Sequence, residues 1–205
     1  MLNTVSPSQP ESAQFDVVAM GASAGGVEAL YVVVSTLPAT FPAAVLIVQH
    51  MDPRHKSLLA GLLGRRCLVP VKQASDGESI HGAMVYIAQP NAHMIVSDNQ
   101  LRLTDSKLVH FSRPSIDLLF ESVAEGYGDR AIGVILSGSG MDGASGIRAI
   151  KDKGGTTIVQ DPATAAHAGM PQAARATGCV DFTLPLEDIG PAIVSLVLPS
   201  LGGHA

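Results

Sequence analysis

The sequence predicts an α/β fold: a doubly wound, mostly parallel, Rossmann-like sheet with one β-hairpin excursion, in a single domain. Three observations carry that prediction. Short β-branched runs alternate with longer stretches of helical period from Asp16 to Val197, the rhythm of strands joined by crossover helices. The run Val45-Leu46-Ile47-Val48 is apolar without alternation, as in a strand covered on both faces. The rhythm breaks once, over 83–105, where short alternating segments are separated by the turn-rich Gln-Pro-Asn-Ala and Ser-Asp-Asn-Gln.

Taken in order, residues 1–15 are rich in Ser, Pro and Gln and read as a disordered tail. Asp16–Met20 is a strand. Gly26–Leu37 is a helix with Val27, Leu30, Val34 and Leu37 on one face. Ala43–His50 is a second strand, and His55–Arg66 a helix whose two closing arginines suit its C-terminal dipole. Residues 83–105 read as antiparallel hairpins. Arg113–Tyr127 is a helix opened by Pro114, Arg130–Gly138 a strand, and Asp142–Gly154 a helix closed by its glycine. Gly155–Asp161 is a strand, Met170–Gly178 a short helix, Cys179–Leu184 a last strand and Leu186–Val197 the final helix, before a short tail over 199–205.

Composition narrows the function classes. The chain of 205 residues is 46% hydrophobic and 15% charged, ordinary for an α/β domain with a sizeable core. A formal net charge of −5 gives no electrostatic footprint for nucleic acid. Aromatic residues are 4% with no Trp, which argues against a stacking platform for sugars or single strands. No apolar run reaches the ~18 residues of a membrane span, and the first residues lack a signal-peptide pattern. Cys67 and Cys179 stand far apart without metal-ligand spacing, so reduced, buried thiols in a cytoplasmic protein are expected, with no metal and no cofactor.

In such sheets ligands bind beyond the carboxyl ends of the strands, at a switch point in strand order. The first strand ends in Gly21-Ala22-Ser23-Ala24-Gly25-Gly26. A phosphate-binding P-loop needs a Lys after its glycines, and none lies between Gly21 and Tyr31. A dinucleotide fingerprint needs a second glycine where Ser23 stands. The same residues do match G-x-S-x-G, in which small neighbours let a sharp strand-to-helix turn present a serine nucleophile. The helix that follows supplies free N–H groups for an oxyanion. A plain helix cap would use Ser23 equally well. A base is then required, and among seven histidines His50 is the one that ends the neighbouring buried strand, about one strand spacing (~5 Å) away. His55, His81, His93, His110 and His204 read as solvated, with His167 as a reserve base. The orienting acid is Asp142, in a glycine-dense loop, or Asp161; spacing does not choose between them.

Seven segments together carry a resemblance: MGASAGGVEAL, VQHM, YIAQPNAHM, RPSID, LSGSGMDGASG, VQDPATAAHAGMP and GCVDFTLPLEDI. In this order they resemble the catalytic domain of the CheB family of chemotaxis methylesterases, over nearly the whole chain from Asp16. The resemblance implies a Ser-His-Asp triad of Ser23, His50 and Asp142. It also implies backbone oxyanion donors at Ala24 and Ser139, and a substrate cleft near Arg113 and Met170. The implied reaction is hydrolysis of glutamyl γ-methyl esters on the cytoplasmic helices of methylated chemoreceptors, with receptor glutamine deamidation as a second activity in many members. Ala24 stands where members often carry Thr, and Ser139 where they often carry Met. The family's receiver domain would not fit in the 15 residues before Asp16. Control by a separate regulatory protein or a methyltransferase is therefore expected. A nucleotide-binding module and a catalytically silent docking module are the competing expectations.

Overall fold

The computed structural model describes residues 15–51 and 57–198. Seven strands form one wholly parallel sheet in the order β3-β4-β2-β1-β7-β8-β9. These strands are β1 (Val17–Ala22), β2 (Ala44–Gln49), β3 (Val71–Gln73), β4 (Met84–Ile87), β7 (Ala131–Ile135), β8 (Thr156–Gln160) and β9 (Phe182–Leu184). A separate antiparallel pair, β5 (His93–Ser97) with β6 (Gln100–Thr104), is the hairpin excursion. The helices are α1 (Gly26–Val34), α2 (Leu59–Leu63), α3 (Ile116–Tyr127), α4 (Ala144–Asp152), α5 (Gly169–Ala176) and α6 (Leu186–Val197).

The sheet's two faces are both buried, and pleating assigns their residues alternately. Val18, Met20, Val45, Ile47, Ile132 and Val134 pack with α1, α2 and α6. Val17, Ala19, Leu46, Val48, Ala131 and Ile135 pack with α3, α4 and α5 and with Met94 and Leu101 of the hairpin. A strand covered on both sides needs apolar residues at every position, which explains the unbroken runs in β1, β2 and β7.

Three expectations change. The segment around Met84–Ile87 is not half of a hairpin; it pairs in parallel with β2 and belongs to the main sheet. The tail ends one residue earlier than expected, because Phe15 is 4% exposed and packs into the core. The cysteines are free but only partly buried. The rest of the tails, 1–14 and 199–205, and residues 52–56 with His55, lie outside the described residues.

Candidate active site

After β1 and β2 the chain turns outward on one side of the sheet; β7 then docks on the other edge of β1. The switch point is therefore the crevice between β1 and β7, the place where open α/β sheets bind ligands. The pairing of Ala22 with Gln49 at the ends of β1 and β2 sets Ser23 beside His50. Three bonds hold that corner. His50 N–H donates to Ala22 O at 3.0 Å, and the buried Gln49 side chain donates through Nε2 to Ser23 O at 2.8 Å and to His50 O at 2.9 Å. On the β7 side, Ser23 N–H donates to Ser137 O at 3.0 Å. Gly25 then adopts φ 71°, a left-handed value that starts α1 immediately after the serine and favours glycine.

His50 Nε2 lies 2.8 Å from Asp142 Oδ2. Asp142 is 4% exposed and accepts from donors on every side. Its Oδ2 also takes the Ile116 N–H at 2.8 Å, and its Oδ1 takes the Ser115 hydroxyl at 3.0 Å and the Asp117 N–H at 2.9 Å. The acid thus sits on the N-terminus of α3, whose orphan N–H groups and dipole favour a negative charge. Burial opposes its ionisation, but the His50 bond and the two backbone N–H bonds outweigh it and hold the carboxyl below the usual carboxylate range. Because Asp142 occupies Nε2, Nδ1 is the ring nitrogen left without a side-chain partner among the described residues.

Behind this pair lies a second set of buried groups. Asp117 Oδ1 accepts the N–H groups of Gly143 at 2.8 Å and Gly146 at 2.7 Å, so it caps α4 while Asp142 caps α3. Burial, together with the nearby Asp142 charge and against the Gly146 and Gly143 bonds, pushes the Asp117 carboxyl up to about 6. His93 is wholly buried: its Nδ1 accepts the Ser115 N–H at 3.1 Å and its Nε2 lies 3.1 Å from Lys107 O. Burial lowers its pKa, so it serves as a neutral ring that fixes Ser115. The expectation of a solvated His93 is corrected here.

The other candidate residues fall as follows. Ala24 and Ser139 flank the crevice, and among the described residues neither N–H has a hydrogen-bond acceptor. Asp161 lies away from His50 and closes its own turn through Ala163 N at 3.0 Å. The His167 ring is exposed, while its backbone O takes the Gly138 N–H at 2.9 Å. Met170 is 1% exposed and packs beneath Gly138, where a Cβ would meet its sulfur at 2.1 Å and Ser23 Cβ at 2.9 Å; it supports the floor rather than lining an open cleft. Arg113 does line a cleft with His50 and Met51, of about 180 Å³. Its guanidinium is occupied by Asn91 Oδ1 at 2.7 and 3.0 Å and by the carbonyl oxygens of Asp105 and Ser106.

The family model described as CheB methylesterase matches residues 18–193, most of the chain. The chain belongs to the CheB methylesterase family. A CheB relative from Cupriavidus pinatubonensis, protein-glutamate methylesterase/protein-glutamine glutaminase 1, is 45% identical over 179 residues, covering 87% of this chain and 52% of its own length. A Leptospira interrogans protein, provisionally given the same two activities in its name, is 40% identical over 183 residues, 89% of this chain and 95% of its own. The crystal structure of the Thermotoga maritima CheB methylesterase catalytic domain superposes with a TM-score of 0.86 at 34% identity, covering 89% of this chain and 99% of that one. The chain thus spans about half the length of the Cupriavidus relative and nearly all of the other two.

Gln49, His93, Ser115 and Asp117 lie within the segments that carry the resemblance, but neither composition nor spacing singles any of them out as a site residue. In the structure Ser115, rather than Pro114, opens α3: it is the N-cap, and Leu118 N–H donates to its hydroxyl.

Proposed function

We propose that the chain is a serine hydrolase that removes methyl groups from glutamate γ-methyl esters on the cytoplasmic helices of chemoreceptors. The observation that carries this reading is the 2.8 Å His50–Asp142 pair set beside Ser23 at the switch point of the sheet. Ser23 Oγ attacks the ester carbonyl as His50 Nδ1 takes its proton. The negative oxygen of the tetrahedral intermediate is held by the Ala24 and Ser139 N–H groups, which preorganised donors stabilise most when free of other acceptors. Collapse returns the proton to the methoxy oxygen and methanol leaves. Water, deprotonated by the same imidazole, then releases the glutamate carboxylate and frees Ser23. Asp142 keeps the proton on Nε2 and offsets the charge of the imidazolium. A γ-amide enters the same sequence with ammonia as the leaving group, in line with the glutaminase activity in the relatives' names.

No helix among the described residues is long and apolar enough to cross a membrane. The proposed partner reaches the site as an exposed helix, in the cytoplasm. Methanol release from methylated receptor membranes tests the reading directly. Ser23→Ala is expected to abolish release while the melting temperature stays within a few degrees of wild type, because Ser23 is only partly buried in a turn. A serine-directed fluorophosphonate should label the wild type at Ser23 and not the variant. Equal methanol release by the two proteins refutes the nucleophile assignment.

A further inference from the structure

The turn between Val109 and Ser112 has a residue that the fold does not explain. Val109 and Ser112 exchange backbone hydrogen bonds at 3.2 and 2.8 Å, closing a two-residue turn. Its central residues, His110 and Phe111, have φ of 48° and 62°. Positive φ at both positions marks the type I′ turn, whose favoured pair is Asn-Gly. A bulky side chain in the left-handed region carries a steric cost. His110 has a structural purpose: its Nε2 lies 3.3 Å from Asp117 Oδ2, inside ion-pair range though off hydrogen-bond geometry, and ties the turn to the start of α3. Phe111 has none. It is 97% exposed, so burial returns nothing for the strained backbone.

Phe111 lines the same cleft as His50, and Leu108, 56% exposed, lines it too. The cation in that cleft, Arg113, has Nε and both Nη groups engaged by Asn91, Asp105 and Ser106. The cleft beside the base is mixed in character: Met51, Leu108, Phe111 and Pro114 form its apolar part, next to His50, Asn91, Ser112 and Arg113, so an apolar side chain entering it would meet Phe111 and Leu108. Strain held at an exposed position beside a reactive group points to function.

We infer that Phe111 is a specificity-determining contact for the substrate, receiving an apolar side chain on the receptor helix about one turn from the esterified glutamate, where i±3 and i±4 neighbours stand ~5–6 Å away. This rests on the receptor-esterase reading above. An anchor of this kind supplies affinity that a small ester cannot use.

The test compares two substrates on the full chain and its variants: a soluble receptor cytoplasmic fragment bearing methylated glutamates, and p-nitrophenyl acetate. Phe111→Gly removes the side chain and relaxes the turn, so the protein should melt no lower than wild type. Its kcat/KM on the receptor fragment should fall about tenfold relative to its kcat/KM on p-nitrophenyl acetate, mainly through KM. Phe111→Leu should recover most of that ratio. An unchanged ratio in Phe111→Gly overturns the inference, as does a recovery by Phe111→Ser equal to that by Phe111→Leu. A wild type that cleaves p-nitrophenyl acetate but no methylated receptor overturns the receptor reading, and the inference with it.

Discussion

Asp142 accepts four hydrogen bonds, from His50, Ser115, Ile116 and Asp117, and every partner is a donor. A carboxylate suits that surrounding and an amide does not. In Asp142→Asn the NH₂ must face at least one backbone N–H whichever way it turns, which leaves a buried donor unpaired at ~1–3 kcal/mol. Turnover should drop on the order of 10⁴-fold, by analogy with other triads that lose the acid. Asp161→Asn disturbs only its own turn and should cost little. Steady-state methanol release with a urea melt checks both variants; the opposite ranking would mean that Asp161 is the acid. At this scale the sequence was legible for the proposed nucleophile and base. G-x-S-x-G and a strand-ending histidine are chemical patterns that local spacing preserves. Asp142 against Asp161 was not legible from spacing, because what separates them is α3, whose N-terminus comes from 25 residues earlier in the chain. Gln49 was equally hidden, since a buried glutamine bridging two carbonyls looks like any strand-end polar residue.

Helices α3 and α4 each have the first turn capped by an acid that arrives from outside the helix, Asp142 on α3 and Asp117 on α4 for its Gly143 and Gly146 N–H groups. The two acids respond to pH in opposite senses. Asp142, held low, contributes stability above the ordinary carboxylate range and loses it only as pH falls through its depressed value. Asp117 has its value raised from 3.8 to about 6, so between those values the folded state binds the proton more tightly, and stability falls as pH rises through that window. Asp117→Asn keeps an oxygen for the Gly143 and Gly146 N–H groups and removes the titration. The variant should match wild type near about pH 4 and be the more stable of the two at about pH 7. Urea unfolding at both values decides it, and a variant less stable at pH 7 would show that the charge itself is needed for the cap. Element existence was widely legible: α3, α4, α5 and α6 lie where period and caps placed them. The segment Met84–Ile87 was misread because alternation cannot tell a parallel partner from an antiparallel one. The three-residue β3 carries too little pattern to be seen at all.

In the whole molecule the two faces of the sheet do different work. The layer of α3, α4 and α5 carries the acid and its supports, whereas α6 on the far face holds none of them. Phe120 is fully buried between α3 and α4, against Gly146 and Gly133. Ile193 is equally buried on the opposite face. Phe120→Ala and Ile193→Ala should both lose stability, by about 3–5 and about 2–5 kcal/mol respectively. Assayed well below both melting temperatures, only Phe120→Ala should also lose activity, because it loosens the packing that brings the α3 N-terminus to Asp142. Equal activity losses would mean that the site depends on global rigidity rather than on one layer. The sheet's margins have a further consequence. The strands that end it, β3 and β9, are three residues each, and β3 places Lys72 at its middle, paired with Glu78. Margins that short, one of them charged, give another chain almost no backbone to pair with. The long apolar strands, which alone would be hazardous if unsheltered, lie inside them. Concentrated solutions of the folded protein should therefore show no association through the margins of the seven-stranded sheet.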